Sequence, residues 1–128
     1  MRYLIDTHAF LWCTINDERL SRKIIEIVEN IDNEIFFSAV SGWEIAIKYQ
    51  LGKLVLSAAP EIFITEQIEN NQYTVLPITL LHALTTRELP LIHKDPFDRM
   101  LVAQSKIENL PILSNDSKLS EYDVDIIW

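Results

Sequence analysis

Short apolar runs with strand character alternate along the chain with segments whose apolar residues recur at helical spacing, and this alternation limits the fold more than any other feature. Successions of strand, helix and strand pack as a parallel sheet covered by helices. A first strand is predicted over residues 2–5, followed by a short helix through Phe10 and Leu11. Leu20, Ile24, Ile27, Val28 and Ile31 then mark a helix, with Asn16 or Asp17 placed to cap it. Residues 34–38 read as the second strand, after which Ser38 or Ser41 can cap a helix carrying Trp43, Glu44 and Ile47. Pro60 suits a first helical position and opens a helix to residue 71. Residues 73–78 form the third predicted strand, and residues 79–89 a helix that stops before Pro90. The Asp95-Pro96 pair announces a helix with Met100, Leu101, Ala103, Gln104 and Ile107, followed by strands at 111–114 and 124–128.

Composition narrows the function classes. The chain has 128 residues, 48% of them hydrophobic, which suits one ordinary domain over 1–128 with a single core. Its apolar stretches fall short of the roughly 18 residues a bilayer span requires, and no leader is read ahead of the first strand. A cytoplasmic location without a membrane partner is expected. Cys13 stands alone, which rules out an internal disulfide or a cysteine-built zinc site. Gly42 and Gly52 are the only glycines, so neither a P-loop nor a G-x-G-x-x-G turn can be written. With 19 acidic and 11 basic side chains the net charge is -8, which repels bulk nucleic acid unless cations or local basic patches intervene.

The acids carry the functional signal. Ligands of open parallel sheets sit beyond the carboxyl ends of the strands. Asp6 ends the first predicted strand, Asp116 follows the fourth, Glu44 lies in the helix after the second, and Asp98 occupies the first turn of the helix opened by Asp95-Pro96. Each has a plain structural reading. Asp98 suits an acidic first turn, Glu44 and Lys48 a solvated i,i+4 pair, and Asp116 a turn. Asp6 is harder to explain, because the end of an apolar strand is a costly place for an unpaired charge. Four carboxylates meeting at one rim would raise one another's pKa unless a cation neutralised them, and all-oxygen ligands suit Mg²⁺ or Mn²⁺.

The segments YLIDTHAFLW, SAVSGWEIAIKYQLGKL, HKDPFDRMLVAQ and ILSND, in that order and with the closing DIIW, resemble the PIN-domain nucleases, specifically VapC-type toxins of bacterial toxin–antitoxin pairs. The resemblance implies an α/β/α sandwich around a central, mostly parallel sheet of four to five strands. It also implies a Mg²⁺- or Mn²⁺-dependent ribonuclease that hydrolyses phosphodiester bonds through a metal-activated water, with a cognate antitoxin as partner and a homodimeric state. By position, the family's catalytic and metal-binding acids fall on Asp6, Glu44, Asp98 and Asp116. Thr7, where the family usually has a small hydroxyl residue, is expected to support the Asp6 carboxylate or a metal-bound water, and Ser38 and Asn115 are weaker supporting candidates. Lys48, Lys94 and Arg99 lie near the acids in sequence and are candidates for the RNA backbone. His8 and His93 flank the acids without a required role, and Trp12 and Trp43 are expected in the core.

Two other readings compete. One is a metal-dependent phosphatase with Asp6 as nucleophile, although His8 stands where such enzymes of the haloacid dehalogenase type typically place a second Asp. The other is an acidic, non-catalytic binding module for a basic partner.

Overall fold

The computed structural model describes residues 1–128. Its strands are β1 (Arg2–Ile5), β2 (Glu34–Ser38), β3 (Thr74–Leu76), β4 (Ile112–Leu113) and β5 (Ile126–Ile127). Its α-helices are α1 (Thr7–Thr14), α2 (Arg22–Glu29), α3 (Ala39–Gln50), α4 (Pro60–Asn71), α5 (Leu80–Thr85) and α6 (Pro96–Glu108). The strands form one parallel sheet in the order β3-β2-β1-β4-β5, an α/β architecture of the kind the alternation predicts.

Successive residues of the central strands point to opposite faces, which divides the core into two layers. Tyr3, Ile5, Ile35 and Phe37 pack with Phe10, Ile24 and Phe63 from α1, α2 and α4. Leu4 and Phe36 pack on the other face with Leu101, Val102 and Ala103 of α6. Leu4 and Ile5 are fully buried, and each such side chain contributes about 1.5–3 kcal/mol of hydrophobic stabilisation, more than an exposed ion pair supplies. Strand order reverses at β1, whose partners are β2 on one side and β4 on the other. The crevice beyond the carboxyl ends of β1 and β4 is therefore the place where helices leave the sheet in diverging directions.

The elements differ from expectation mainly at their ends. The ladders of β3, β4 and β5 are shorter than their apolar runs. α2 is capped by Ser21, whose hydroxyl accepts from the Ile24 N–H at 3.1 Å, and not by Asn16 or Asp17. Asn16 instead takes a left-handed turn conformation (φ 49°) and Asp17 pairs with Arg19. α5 stops at Thr85 and tightens into a 3₁₀ turn over Thr86–Glu88. No helix is long and apolar enough to cross a membrane.

Candidate functional site

The end of β1 places Asp6 at the crevice. Its Oδ1 accepts the Ala9 N–H at 2.7 Å, so the residue that closes the strand also caps α1. A cap alone does not explain its setting, because Asp6 is only 6% exposed. Burial pushes its carboxyl above the ordinary range, against the pull of Ser114, the Ala9 N–H and His8; the Asp116 charge pushes the same way as burial.

Asp116 follows β4 in a turn held at both ends. Its N–H donates to the Ser114 hydroxyl at 3.0 Å, and its Oδ1 accepts the Lys118 N–H at 2.9 Å. Asp98 arrives from the first turn of α6, where Asp95 caps the helix by accepting from the Phe97 and Asp98 N–H groups at 2.8 and 3.4 Å. His93 Nε2 lies 2.8 Å from Asp98 Oδ2. Burial, then the Asp95 charge, push the Asp98 carboxyl up to about 6; His93 opposes the shift and Asp116 adds to it. Ligand atoms of His93, Asp98 and Asp116 all lie within 4.8 Å of one another. Two carboxylates and an imidazole at that spacing form a donor set suited to a small divalent cation, which would offset both the burial and the neighbouring acids that raise Asp98.

Glu44 is 3% exposed on the inner face of α3, and Lys48 Nζ lies 2.5 Å from its Oε2. Ser41, one turn earlier on the same face, accepts the Thr7 hydroxyl at 2.9 Å and so ties α3 to the residue after Asp6.

A family model for the PIN domain matches residues 3–125. The chain belongs to that family. Among solved structures, this PIN domain is similar to a chain of VapBC2 from Rickettsia felis bound to a DNA fragment from its promoter, with 13% identity, a TM-score of 0.71, and coverage of 100% of this chain and 99% of that one. It is also similar to chains of FitAcB from Neisseria gonorrhoeae, with 16% identity, a TM-score of 0.64 and coverage of 100% and 97%. VapBC-1 from nontypeable Haemophilus influenzae gives 15% identity, a TM-score of 0.64 and coverage of 99% and 97%. At these identities the likeness is one of fold. No curated protein matched the chain by sequence.

The PIN domain thus brings Asp6, Asp98 and Asp116 to one crevice, with Glu44 buried on α3 beside the Lys48 ammonium. The compact three-group set leaves out Asp6 and Glu44 and includes His93, which sequence reasoning left without a role. The five-residue separation from Asp98 gave no helical signal for this pair, because the chain between them turns into the Asp95 cap. The hydrogen bonds give several of the supporting candidates other partners within the fold. The Thr7 hydroxyl turns to Ser41 and not to the Asp6 carboxylate. Ser38 donates to Gln104 Oε1 at 2.6 Å and caps α3 through the Val40 N–H, bracing α3 against α6. Arg99, expected to face an RNA backbone, donates instead to the carbonyls of Thr86 and Pro90 at 2.7 and 2.8 Å, which fastens the loop that carries His93. Lys48 is held by Glu44, Lys94 is exposed, and Asn115 lines the cleft beside Asp6 and Asp116. Trp43 is 57% exposed and packs edge-on against Phe97, outside the core where its apolar neighbours had suggested it.

Proposed function

We propose that this PIN domain is a metal-dependent endoribonuclease, the toxin of a VapBC-type toxin–antitoxin pair. The observation that carries the reading is the meeting of Asp6, Asp98 and Asp116 at the β1–β4 switch point, with two of their carboxyls pushed upward and a histidine on one of them. A stability-driven surface would separate or neutralise such groups. Their crowding favours a cation, and membership of the PIN family supports nucleic-acid hydrolysis.

Asp98 and Asp116 would hold a Mg²⁺ or Mn²⁺ ion with Asp6 beside them, His93 orienting the Asp98 carboxylate and Glu44 in a supporting position. When bound, that ion supplies charge stabilisation at the phosphate oxygens and a lowered pKa for attacking water. The chain's own groups prepare the site. The Asp95 cap fixes the first turn of α6 and with it the Asp98 carboxyl, while the Arg99 contacts hold the His93 loop against it. The Ser114 hydroxyl receives the Asp116 N–H and lies against Asp6, which sets the two acids relative to each other.

The similar structures support the assembly part of the reading, since they are described as VapBC and FitAB complexes. Leu80, Leu81 and Leu84 of α5 are more than half exposed and offer an apolar face for a homodimer. Incubation of the purified protein with total RNA and Mg²⁺, with an EDTA control, tests the activity. Discrete fragments should appear only with the metal and disappear in folded Asp6→Asn and Asp98→Asn variants. Fragments that persist in EDTA, or in both variants, would defeat the reading.

A further inference from the structure

A chain of net charge -8 that cuts RNA needs something other than bulk attraction to hold its substrate. Of the cations expected near the acids, Lys48 is bound to Glu44, Arg99 is bound to loop carbonyls, and Lys94 is exposed but does not line the cleft beside Asp6 and Asp116. A cleft of about 460 Å³ runs from Asp6 and Asp116 past His8 and Asn115 to Trp12 and Arg19. Arg19 is the only permanently charged cation lining it.

Its guanidinium is mounted with unusual precision for a surface side chain. The Cζ atom lies 4.6 Å from the centre of the Trp12 ring, over its face. Asp17 grips the fork from one edge, with Nε to Oδ1 at 2.9 Å and Nη2 to Oδ2 at 2.8 Å, and this contact holds the Asp17 carboxyl down at about 2. Trp12 is itself steadied by Trp128, which meets it edge-on with ring centres 5.7 Å apart. The Arg19 side chain remains 58% exposed. One face of the plane is thus taken by Trp12, one edge by Asp17, and the rest is open to the cleft.

We propose that Arg19, stacked on Trp12, is a platform on which one base of single-stranded RNA stacks while the strand's scissile phosphate lies at the acid cluster. This inference rests on the ribonuclease reading above. Stacking, and not a phosphate contact, is the better match because Asp17 offsets the charge of Arg19 locally while fixing its plane. A fixed guanidinium plane is a good surface for an unpaired base. Such stacking accepts any base and supplies affinity that does not depend on net charge.

The test uses the full chain carrying Asp98→Asn, so that RNA is bound and not cut, with Mg²⁺ present. Fluorescence anisotropy compares labelled oligouridine of about twelve nucleotides with an abasic strand of the same length and charge. The background protein should prefer oligouridine over the abasic strand. Arg19→Ala should reduce that preference about 10-fold, and Arg19→Lys, which keeps the charge but lacks the plane, should fail to restore it. Unchanged melting temperatures would show that both variants fold, as expected for an exposed side chain. The platform is overturned if Arg19→Ala leaves the preference intact, or if Arg19→Lys restores it in full. If oligouridine does not bind the background protein at all, the ribonuclease reading itself fails and takes the platform with it.

Discussion

Each end of helix α6 presents a carboxylate to a histidine from another segment, and the two pairs serve opposite purposes. At its start, His93 Nε2 meets Asp98 Oδ2 at 2.8 Å, with Asp95 and Asp116 close by, in a partly open crevice. Near its end, His82 Nε2 lies 3.4 Å from Glu108 Oε1, and His82 is fully buried. The Nδ1 of His82 accepts the Thr79 N–H at 3.0 Å, which places the proton of the neutral ring on Nε2 and completes a capping box with the Thr79 hydroxyl. Gln104, also on α6, lies 3.4 Å from the same Nδ1 and accepts the Ser38 hydroxyl. One pair concentrates negative charge beyond what its histidine offsets; in the other, the buried histidine joins α5 to α6 through its Nδ1, while its Nε2 faces Glu108 without a hydrogen bond. Residue types alone do not distinguish them. Their surroundings do.

The sharpest way to break this contrast is to neutralise one acid at each end. Asp98→Asn should lower metal-dependent RNA cleavage about 1,000-fold, read as initial rates of fragment formation, while Glu108→Gln should leave the rate within about 2-fold. The histidines should behave in the opposite sense for stability. His82→Leu removes the acceptor of the Thr79 N–H and one of the two acceptors of the Gln104 amide, which keeps the Pro77 carbonyl, and should cost about 1–2 kcal/mol, a fall of about 4–8 °C in Tm. His93→Ala should cost less than about 1 kcal/mol of stability yet slow cleavage about 10–100-fold, because it removes the group that orients Asp98. Equal melting temperatures for the two histidine variants would dissolve the distinction.

A smaller effect follows from the Asp98 carboxyl, held at about 6 in the fold against an ordinary value of 3.8. Between about pH 4 and pH 6 the folded protein retains a proton that the unfolded chain releases, so this group lowers stability as pH rises through that window, and the loss persists above it. Asp98→Asn should therefore stabilise the metal-free protein at pH 7 by about 1 kcal/mol, allowing for solvent screening of a partly exposed group, and should do nothing at pH 3.5. Saturating Mg²⁺ should raise the wild-type Tm and narrow the gap to the variant. The smallest change belongs to Glu108→Gln, whose carboxylate is about one-third exposed and should alter stability by no more than about 0.5 kcal/mol by chemical denaturation.

The segments that built the sheet were legible because their period was unambiguous. β1 and β2 occupy the residues expected, and α4 begins at Pro60 as its fixed φ favours. Asp6 could be singled out for a local reason too, as a charge at the end of a buried strand. α3 was harder to read, since its inner face carries Ser41 and Glu44 while Trp43, one residue away, turns outward. Hydrophobic periodicity assigns faces by assuming that polar side chains seek water, and a helix that buries a carboxylate beside its lysine reverses that assumption. The cap of α2 failed for a similar reason: Asn16, Asp17 and Ser21 all suit the role, and only the course of the turn selected Ser21.

The sequence by itself determined the parallel sheet and the strand-end acids, because hydrophobic period and the cost of burying charge act over a few neighbouring residues. Tertiary structure alone decided which cations remain free, which histidine touches an acid and which aromatic supports Arg19. Those outcomes depend on packing between residues far apart in the chain: Tyr122 receives the His93 N–H across 29 positions, and the Trp128 ring steadies Trp12 from the opposite terminus.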